Sequence, residues 1–206
     1  MVSILKLSGD VRICVDLMGL NKAVRREVYP MPVADESISL LNASKIFSKL
    51  DANSGFWQIH LDEESRKLIT FLIPFNRFCF NRLPFAISCA PEIVARAMSR
   101  LLEGVENVLC HMDNILINGK DVASHDKSLK LVLFRLEQTG LTLNKSKCEI
   151  RKSQVMFLGH IIDKNEARFD AGKVSSIHDF PTPTCKTEVK RLHSMLNQSL
   201  CFTSQR

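Results

Sequence analysis

The sequence predicts an α+β fold built on a mainly antiparallel sheet. Short segments rich in apolar and β-branched residues are joined by brief turns, and the helical segments between them lack the regular strand–helix alternation of a parallel sheet. Hydrophobic residues make up 45% of the 206 residues and charged residues 24%. These values allow a normal core and exclude a disordered or collagen-like chain.

The first half of the chain contains strand-like segments separated by turns. Alternating or β-branched residues predict four strands: Val11–Asp16, Ile46–Asp51, Thr70–Pro74 and Phe78–Asn81. We expect Asn76 and Arg77 to form the turn between the last two strands. Short helices are predicted at Val33–Leu41 and Asp62–Lys67.

A longer helix is predicted at Ser88–Gly104. Pro91 and Glu92 suit its first turn, and Gly104 suits its end. Apolar residues recur at helical spacing and should face the core. They are Ile93, Val94, Ala97, Met98, Leu101 and Leu102.

The second half predicts a hairpin, a helix and a strand. Two apolar runs within Val108–Ile117 flank a polar turn, which is typical of a hairpin. Val122–Gly140 is helical, with one apolar side. That side consists of Leu129, Val132, Leu133 and Leu136. Val155–Ile162 is strand-like, and a last amphipathic helix is predicted at Thr187–Leu200.

The positive charge is confined to the second half of the chain. Residues 1–117 hold 13 Lys+Arg and 13 Asp+Glu, whereas residues 118–206 hold 15 and 9, a net charge of +6. Such an excess indicates either a solvated basic face or a surface that contacts phosphate groups. Composition leaves both interpretations open.

The seven cysteines are odd in number and are never spaced C-x-x-C. This spacing argues against a structural zinc site and against a disulfide framework, and it favours reduced thiols in an intracellular protein. The sequence shows no signal peptide and no apolar run long enough for a membrane helix.

Two aspartates follow apolar strands, Asp51 at a strand end and Asp113 in the predicted hairpin turn. Such positions can meet at one end of a sheet, where two carboxylates repel each other unless a divalent cation such as Mg²⁺ lies between them. Asp is also common at strand ends and turns, so an ordinary structural role stays open.

Eight motifs in order carry a resemblance to a known family. They are VRICVDLMGLNK (Val11–Lys22), YPMP (Tyr29–Pro32), FSKLDANSGFWQI (Phe47–Ile59), RLPFAISCAP (Arg82–Pro91), HMDNILI (His111–Ile117), GLTLNKSKCE (Gly140–Glu149), FLGHII (Phe157–Ile162) and FPTPT (Phe180–Thr184). From about Val2 to Leu200 the chain resembles the reverse transcriptase domain of gypsy-type LTR retrotransposon polyproteins.

The resemblance implies a polymerase palm with a mainly antiparallel sheet packed on helices. Residues 1–180 would form the palm and N-terminally truncated fingers, and residues 181–206 the truncated start of the thumb or connection. The implied reaction adds deoxynucleotides to a primer 3′-hydroxyl by two-metal phosphoryl transfer. The implied cofactor is Mg²⁺, with Mn²⁺ as an alternative.

The implied partners are an RNA or DNA template with its primer and deoxynucleoside triphosphates, without a membrane. The family's life cycle implies a cytoplasmic or nuclear location. The sequence leaves the oligomeric state open.

The resemblance also assigns roles to catalytic residues. Asp51 and Asp113 would bind the metal, with Asn114 beside them. Lys147 would protonate the departing pyrophosphate, although a solvated lysine is the ordinary alternative.

Two further groups of residues would hold the substrates. The nucleotide-binding residues would be Lys6, Arg12, Ala52, Phe56, Phe85 and Ala86. Phe56 would act as a steric gate that excludes a 2′-hydroxyl, its alternative being a core aromatic. The primer grip would consist of Leu158, Gly159 and His160.

Several motif positions depart from the family pattern. Asn114 replaces the second aspartate of the turn motif, His111 an aromatic residue, and Ala86 a glycine. An amide carries no negative charge, so metal binding should weaken. We therefore expect a polymerase impaired by Asn114 and by truncation. A catalytically inactive nucleic-acid-binding domain and a decayed product remain the alternatives.

Overall fold

The computed structural model describes residues 2–5, 11–26, 29, 41, 44–169, 180–191 and 193. The strands are β1 Val2–Leu5, β2 Val11–Cys14, β3 Ile46–Asp51, β4 Thr70–Ile73, β5 Asn76–Cys79, β6 Val108–His111, β7 Asn114–Gly119, β8 Glu149–Lys152, β9 Gln154–Phe157, β10 His160–Asp163 and β11 Ala167–Phe169. The helices are α1 Met18–Asn21, α2 Glu63–Leu68, α3 Ala90–Leu101 and α4 Val122–Thr139. Short 3₁₀ turns occur at Gly55–Gln58 and Lys145–Lys147.

The central sheet has the strand order β6-β7-β3-β8, and its strand pairs are antiparallel. Strand β3 lies between β7 and β8, so its backbone is hydrogen-bonded on both sides. The other described strands form the β1–β2 and β4–β5 hairpins and the sheet β11-β10-β9. This arrangement confirms the predicted α+β class.

Both faces of the central sheet carry buried side chains. Successive side chains of a strand point to opposite faces, so strand β7 contributes to the core on each side. On one face, Ile115 and Ile117 of β7 join the main core, together with Val94 of α3 and Val132 of α4. On the other face, Leu116 packs in a second cluster. Its buried members are Leu41, Phe47, Leu116, Val155, Phe157 and Ile162.

Helix α4 matches its prediction closely. Asp121 accepts the Ser124 N–H and the Ser124 hydroxyl accepts from the Asp121 N–H, so a capping box begins the helix. Gly140 ends it in the left-handed region at φ 68°. The apolar side was predicted wrongly at one position, because Leu133 is 40% exposed.

The β4–β5 turn was also predicted wrongly. Ile73 pairs with Asn76, and Leu72 pairs with Arg77, so Pro74 and Phe75 form the turn and Asn76 and Arg77 lie in the strand. Proline has a fixed φ and no N–H to donate, which favours a turn position over a ladder position.

The segment Val155–Ile162 is a hairpin rather than a single strand. Strands β9 and β10 pair antiparallel, with Phe157 opposite His160. Leu158 and Gly159 between them have φ values of 51° and 83°. Two positive φ values suit the tight turns that match the twist of a hairpin.

The predicted hairpin at Val108–Ile117 is confirmed by β6 and β7, and the predicted helix at Ser88–Gly104 by α3. The predicted helix at Val33–Leu41 lies outside the described residues except for Leu41. Most of the predicted helix at Thr187–Leu200 also lies outside them, and the described range 186–191 is helical. Within the described ranges, the helices are too short or too polar to cross a lipid bilayer.

Candidate active site

Asp51 and Asp113 meet at one end of the central sheet. Asp51 is the last residue of β3 and stands opposite Asn114, the first residue of β7. The Ala52 N–H donates to the Asp113 carbonyl at 2.8 Å, which joins the two backbones directly. Asp51 is nearly buried at 7% exposure, and Asp113 is half-buried.

Gly55 allows the chain to pass close over Asp113. A Cβ on Gly55 would lie 2.9 Å from the Asp113 Cβ, closer than side-chain carbons normally approach. The preceding Ser54 is in the left-handed region at φ 52°, which turns the chain into the 3₁₀ turn. The sequence prediction assigned no role to Gly55, although a glycine four residues after Asp51 could have indicated close packing.

Neighbouring side chains already contact both carboxylates. Lys147 Nζ lies 3.3 Å from each carboxylate oxygen of Asp51. Asn114 Nδ2 donates to Asp113 Oδ1 at 3.1 Å. The structure thus brings together the four residues that were predicted as catalytic.

The hairpin that carries Asp113 also contains two side chains whose pKa values are shifted, Cys110 and His111. Burial raises the pKa of the Cys110 thiol to about 12, and the nearby Asp113 charge acts in the same direction. Burial lowers the pKa of His111, and the Asp113 charge opposes this effect. Both effects follow from a partly desolvated turn with one negative charge.

The donor set fits one hard divalent cation. Asp51 and Asp113 offer carboxylate oxygens, and Mg²⁺ is commonly held by one or two carboxylates together with substrate phosphates. Within the described part of the chain, no three or more His, Cys, Asp or Glu side chains cluster as a metal site. Asn114, where a further acid was expected, donates to Asp113.

Gln58 binds the 3₁₀ turn after Asp51 to the loop after α4. Its Nε2 donates to the Asn53 carbonyl at 2.6 Å and to the Thr142 carbonyl at 3.0 Å, and its Oε1 accepts the Thr142 N–H at 2.7 Å. The sequence showed no role for Gln58. Its amide pairs with both the N–H and the carbonyl of one residue, Thr142, which explains why an amide side chain occurs here.

The predicted gate belongs to an aromatic cluster. The rings of Phe56 and Phe85 lie 4.9 Å apart, and those of Trp57 and Phe85 lie 6.0 Å apart. Ala86 is exposed, and its carbonyl accepts from Asn21 Nδ2 at 2.8 Å. Two of the predicted nucleotide-binding residues, Phe56 and Phe85, are therefore in contact.

The other predicted nucleotide-binding residues are less well placed or less fully described. Ala52 is buried, and its N–H already donates to Asp113. Arg12 lies in β2 opposite Ile4, but its side chain falls outside the described residues. Lys6 lies outside them altogether.

The predicted primer grip lies on the β9–β10 hairpin. Leu158 and Gly159 form the turn, whereas His160 is buried. Phe157 beside them packs with Phe47 of β3, which holds this hairpin against the strand that ends at Asp51.

A cavity of about 620 Å³ opens beside Asp113. Its walls include Trp57 and Gln58, the apolar side of α3 through Val94 and Met98, and the loop after α4. The cavity therefore adjoins Asp113 and the turn that Gln58 holds.

A second polar cluster lies behind the site and was missed by the sequence prediction. Ser48 Oγ and His125 Nε2 are hydrogen-bonded at 2.8 Å, and His125 Nδ1 is 3.0 Å from Asp126 Oδ1. Arg151 Nε donates to Asp126 Oδ1 at 2.9 Å, and the Arg151 N–H donates to Ser48 Oγ. Serine, histidine and aspartate also form hydrolase triads, but Ser48 and His125 are fully buried, so no substrate reaches them.

Comparisons with known proteins place these residues in a family. The family described as "Reverse transcriptase (RNA-dependent DNA polymerase)" matches residues 4–162. The "Enzymatic polyprotein" of Cauliflower mosaic virus (strain Strasbourg) is 32% identical over 193 residues, covering 93% of this chain and 28% of the viral protein. The "Transposon Tf2-7 polyprotein" of Schizosaccharomyces pombe (strain 972 / ATCC 24843) is 30% identical over 194 residues, covering 93% of this chain and 15% of that protein.

Solved structures show the same fold. The foamy viral protease-reverse transcriptase dRH in complex with ds DNA superposes with a TM-score of 0.85 at 21% identity, over 95% of this chain and 34% of that one. The foamy viral protease-reverse transcriptase in complex with an RNA/DNA hybrid superposes with a TM-score of 0.81 at 20% identity, over 95% of this chain and 26% of that one. The chain thus spans about a third or less of the length of these four relatives.

Proposed function

The chain belongs to the reverse transcriptase (RNA-dependent DNA polymerase) family, and we propose that it is a polymerase palm for template-directed addition of deoxynucleotides to a primer 3′-hydroxyl. The observation that carries this proposal is the meeting of Asp51 and Asp113 at the end of the central sheet. We further propose that residues 1–180 are fingers and palm and that residues 181–206 begin the thumb or connection.

Asp51 and Asp113 would hold the divalent cation, Mg²⁺ or Mn²⁺. When bound, such a cation lowers the pKa of an attacking hydroxyl and stabilises charge on phosphate oxygens. The residues of this chain would position the two cation ligands. The end of β3 fixes Asp51, and the tight β6–β7 turn fixes Asp113. Gln58 fixes the 3₁₀ turn that follows Asp51.

Other residues would bind and orient the substrates. Lys147 lies close to Asp51, so it would donate a proton to a departing phosphate group that is bound beside that carboxylate. Phe56, held by Phe85, would lie under the sugar, and Arg12, Lys6, Ala52 and Ala86 would complete the nucleotide site.

The backbone of Leu158 and Gly159, supported by buried His160, would contact the primer. Nucleic-acid partners are supported by the foamy viral relatives, whose structures contain ds DNA and an RNA/DNA hybrid.

We propose that catalysis is impaired in this chain. Asn114 carries no charge, and its amide donates to Asp113 instead of adding a cation ligand. The same observation supports the second candidate function, a nucleic-acid-binding domain without catalysis.

The test is Mg²⁺-dependent primer extension on an RNA template, comparing the natural chain with Asn114→Asp. We expect weak or no extension by the natural chain and a gain of at least about tenfold for Asn114→Asp, since restoring one charge next to a cation is worth more than about 1.4 kcal/mol at short range. Asp51→Ala in the Asn114→Asp background is the control and should abolish extension.

Two other outcomes would revise the proposal. Full activity of the natural chain would show that an Asp-Asn pair suffices. No extension by either form, with duplex binding retained, would support the binding function instead.

A further inference from the structure

Helix α1 packs on the main core and presents one polar side chain to a distant loop. Leu17, just before the helix, and Leu20 within it both pack in the main core. Asp16 Oδ1 accepts the Met18 N–H at 2.9 Å, which caps the first turn of the helix. The last residue of α1, Asn21, is half-buried, and the sequence prediction gave it no role.

The side-chain amide of Asn21 pairs with the backbone on both sides of Ile87. Its Nδ2 donates to the Ala86 carbonyl at 2.8 Å, and its Oδ1 accepts the Ser88 N–H at 2.9 Å. An asparagine amide offers donors and an acceptor in one plane, so it can hold two backbone groups at once. The two partners lie 65 and 67 residues away along the chain, so these bonds join separate parts of the fold.

The loop that Asn21 contacts contains a turn whose own closing bond is weak. The Ile87 N–H lies 3.5 Å from the Pro84 carbonyl, whereas good N–H···O bonds measure about 2.7–3.2 Å. Both bonds of Asn21 fall within that range. Asn21 therefore does more than the closing bond to orient Phe85 and Ala86, the two central residues of the turn.

Phe85 transmits the orientation of this turn to the aromatic cluster. Its ring lies 4.9 Å from the ring of Phe56 and 6.0 Å from the ring of Trp57. Both partners belong to the 3₁₀ turn at Gly55–Gln58, which follows Asp51. A rotation of the turn at 84–87 would move the Phe85 ring away from both of them.

A second contact joins the same two parts of the chain. Arg26 Nη2 lies 2.8 Å from Glu92 Oε1, and Glu92 is in the first turn of α3. The variant Arg26→Met would remove this ion pair and leave both bonds of Asn21 in place. It is therefore a matched control for the loss of a contact between these segments.

We propose that Asn21 is a positioning residue, which holds the turn at 84–87 so that Phe85 stays in contact with Phe56 and Trp57. A fixed Phe85 would prevent Phe56 from moving away from a bound sugar. Asn21 would thereby strengthen the selection of deoxynucleotides over ribonucleotides. This consequence rests on the proposed polymerase function, whereas the positioning of Phe85 does not.

The first test uses Trp57, the only tryptophan of the chain, whose fluorescence reports on its contact with Phe85. Asn21→Leu has a similar volume without the hydrogen-bonding groups. We expect it to raise the quenching of Trp57 by acrylamide about twofold, because the turn opens locally. Phe85→Ala is the positive control and should also raise the quenching. Arg26→Met should leave it unchanged.

The second test is primer extension in the Asn114→Asp background. Asn21→Leu should lower the ratio of kcat/KM for a deoxynucleotide to that for the matching ribonucleotide about tenfold. Arg26→Met should not change this ratio. A loss of stability alone would reduce both values of kcat/KM in parallel, so the ratio separates positioning from a merely structural role.

Amide hydrogen exchange of the natural chain tests the contact independently of any variant's folding. The Ser88 N–H should exchange at least about tenfold more slowly than a free peptide amide. Exchange at the free rate would overturn the proposal. Equal quenching in the natural chain and Asn21→Leu, with a rise in Phe85→Ala, would also overturn it, as would equal effects of Asn21→Leu and Arg26→Met.

The two tests also separate this proposal from the proposed function. An unchanged nucleotide ratio in an active Asn21→Leu chain would overturn the role in selection. If the Asn114→Asp chain extends no primer, the polymerase function is contradicted, and the quenching of Trp57 alone decides whether Asn21 positions Phe85.

Discussion

At the turn between β6 and β7, Asn114 contacts Asp113 through its amide nitrogen, and Lys147 contacts Asp51. A carboxylate at position 114 could not donate to Asp113 and would repel it instead. The chain therefore neutralises part of its own site. A divalent cation bound as proposed above would compete with the ammonium group of Lys147 for Asp51.

This competition predicts that Lys147→Met tightens cation binding. The Lys147 side chain of the Lys147–Asp51 ion pair is 61% exposed, and an exposed ion pair contributes about 0.5–1 kcal/mol. We therefore expect calorimetry to give a Kd for Mn²⁺ that is about two- to fivefold lower for Lys147→Met. Lys145→Met, in the same 3₁₀ turn, is the control and should leave the Kd unchanged. An unchanged Kd for Lys147→Met would show that the ion pair does not oppose the cation.

The cysteine in the same hairpin should be chemically inert. Because burial raises the pKa of Cys110 to about 12, almost no thiolate forms at pH 8. We expect iodoacetamide at pH 8 to modify exposed Cys79 and to spare Cys110, as measured by mass spectrometry of peptides. Labelling in guanidinium should modify both, and equal labelling rates in the folded chain would contradict the prediction.

At the scale of elements, α4, β3 and β8 are joined by the cluster of Ser48, His125, Asp126 and Arg151. Ser48 lies at an irregularity of the β3–β8 pairing, between Phe47 and Lys49. Its hydroxyl accepts the N–H of Arg151, which lies at the same irregularity of the ladder. The cluster thus holds β8 against the strand that ends at Asp51.

The acid dependence of stability should report on this cluster. The Arg151 side chain, and secondly His125, lower the pKa of Asp126 from 3.8 to about 2. A lowered folded-state pKa stabilises the fold above the unfolded value and loses that effect as the pH falls. The stability difference between the natural chain and Asp126→Asn should therefore be constant above about pH 5 and shrink between about pH 4 and pH 2.

Urea unfolding at several pH values measures this difference. Arg151→Met should flatten the pH dependence in the same way, because it removes the partner that lowers the pKa most. If the free energies of unfolding of the natural chain and Asp126→Asn run parallel down to pH 2, the Asp126–Arg151 contact does not contribute to stability in solution.

The limits of sequence prediction also appear at the scale of elements. The helix α4 and the β6–β7 hairpin were predictable because local signals, a polar cap and a polar turn between apolar runs, agree with the tertiary structure. The Leu158–Gly159 turn was missed, because a positive φ is unfavourable for leucine. The packing of Phe157 and Ile162 on either side of the turn imposes this conformation.

For the candidate site, the motifs led to Asp51, Asp113, Asn114 and Lys147, which the structure brings together. The motifs did not reveal the bridging amide of Gln58, whose partner Thr142 is 84 residues away. Contacts at that distance along the chain leave no periodic signal in a single sequence.

At the scale of the whole molecule, the charge distribution favours contact with nucleic acid. The net charge of +6 comes from residues 118–206, and several of the basic side chains there are exposed in the structure. They include Lys127, Lys130, Lys145, Lys147 and Lys152. Basic residues on one part of a fold attract phosphate by long-range electrostatics.

This distribution predicts that binding of a primer–template duplex weakens steeply with salt. Each neutralised phosphate adds about −0.9 to the slope of log K against log salt, so three or more contacts give a slope of about −3 or steeper. Asp51→Ala should bind the duplex at least as tightly as the natural chain, because it removes a negative charge that faces the phosphates and leaves the basic residues in place. Filter binding between 50 and 300 mM salt measures both quantities. A slope near zero would mean that apolar contacts hold the duplex, and weaker binding by Asp51→Ala would mean that this carboxylate helps to build the binding surface.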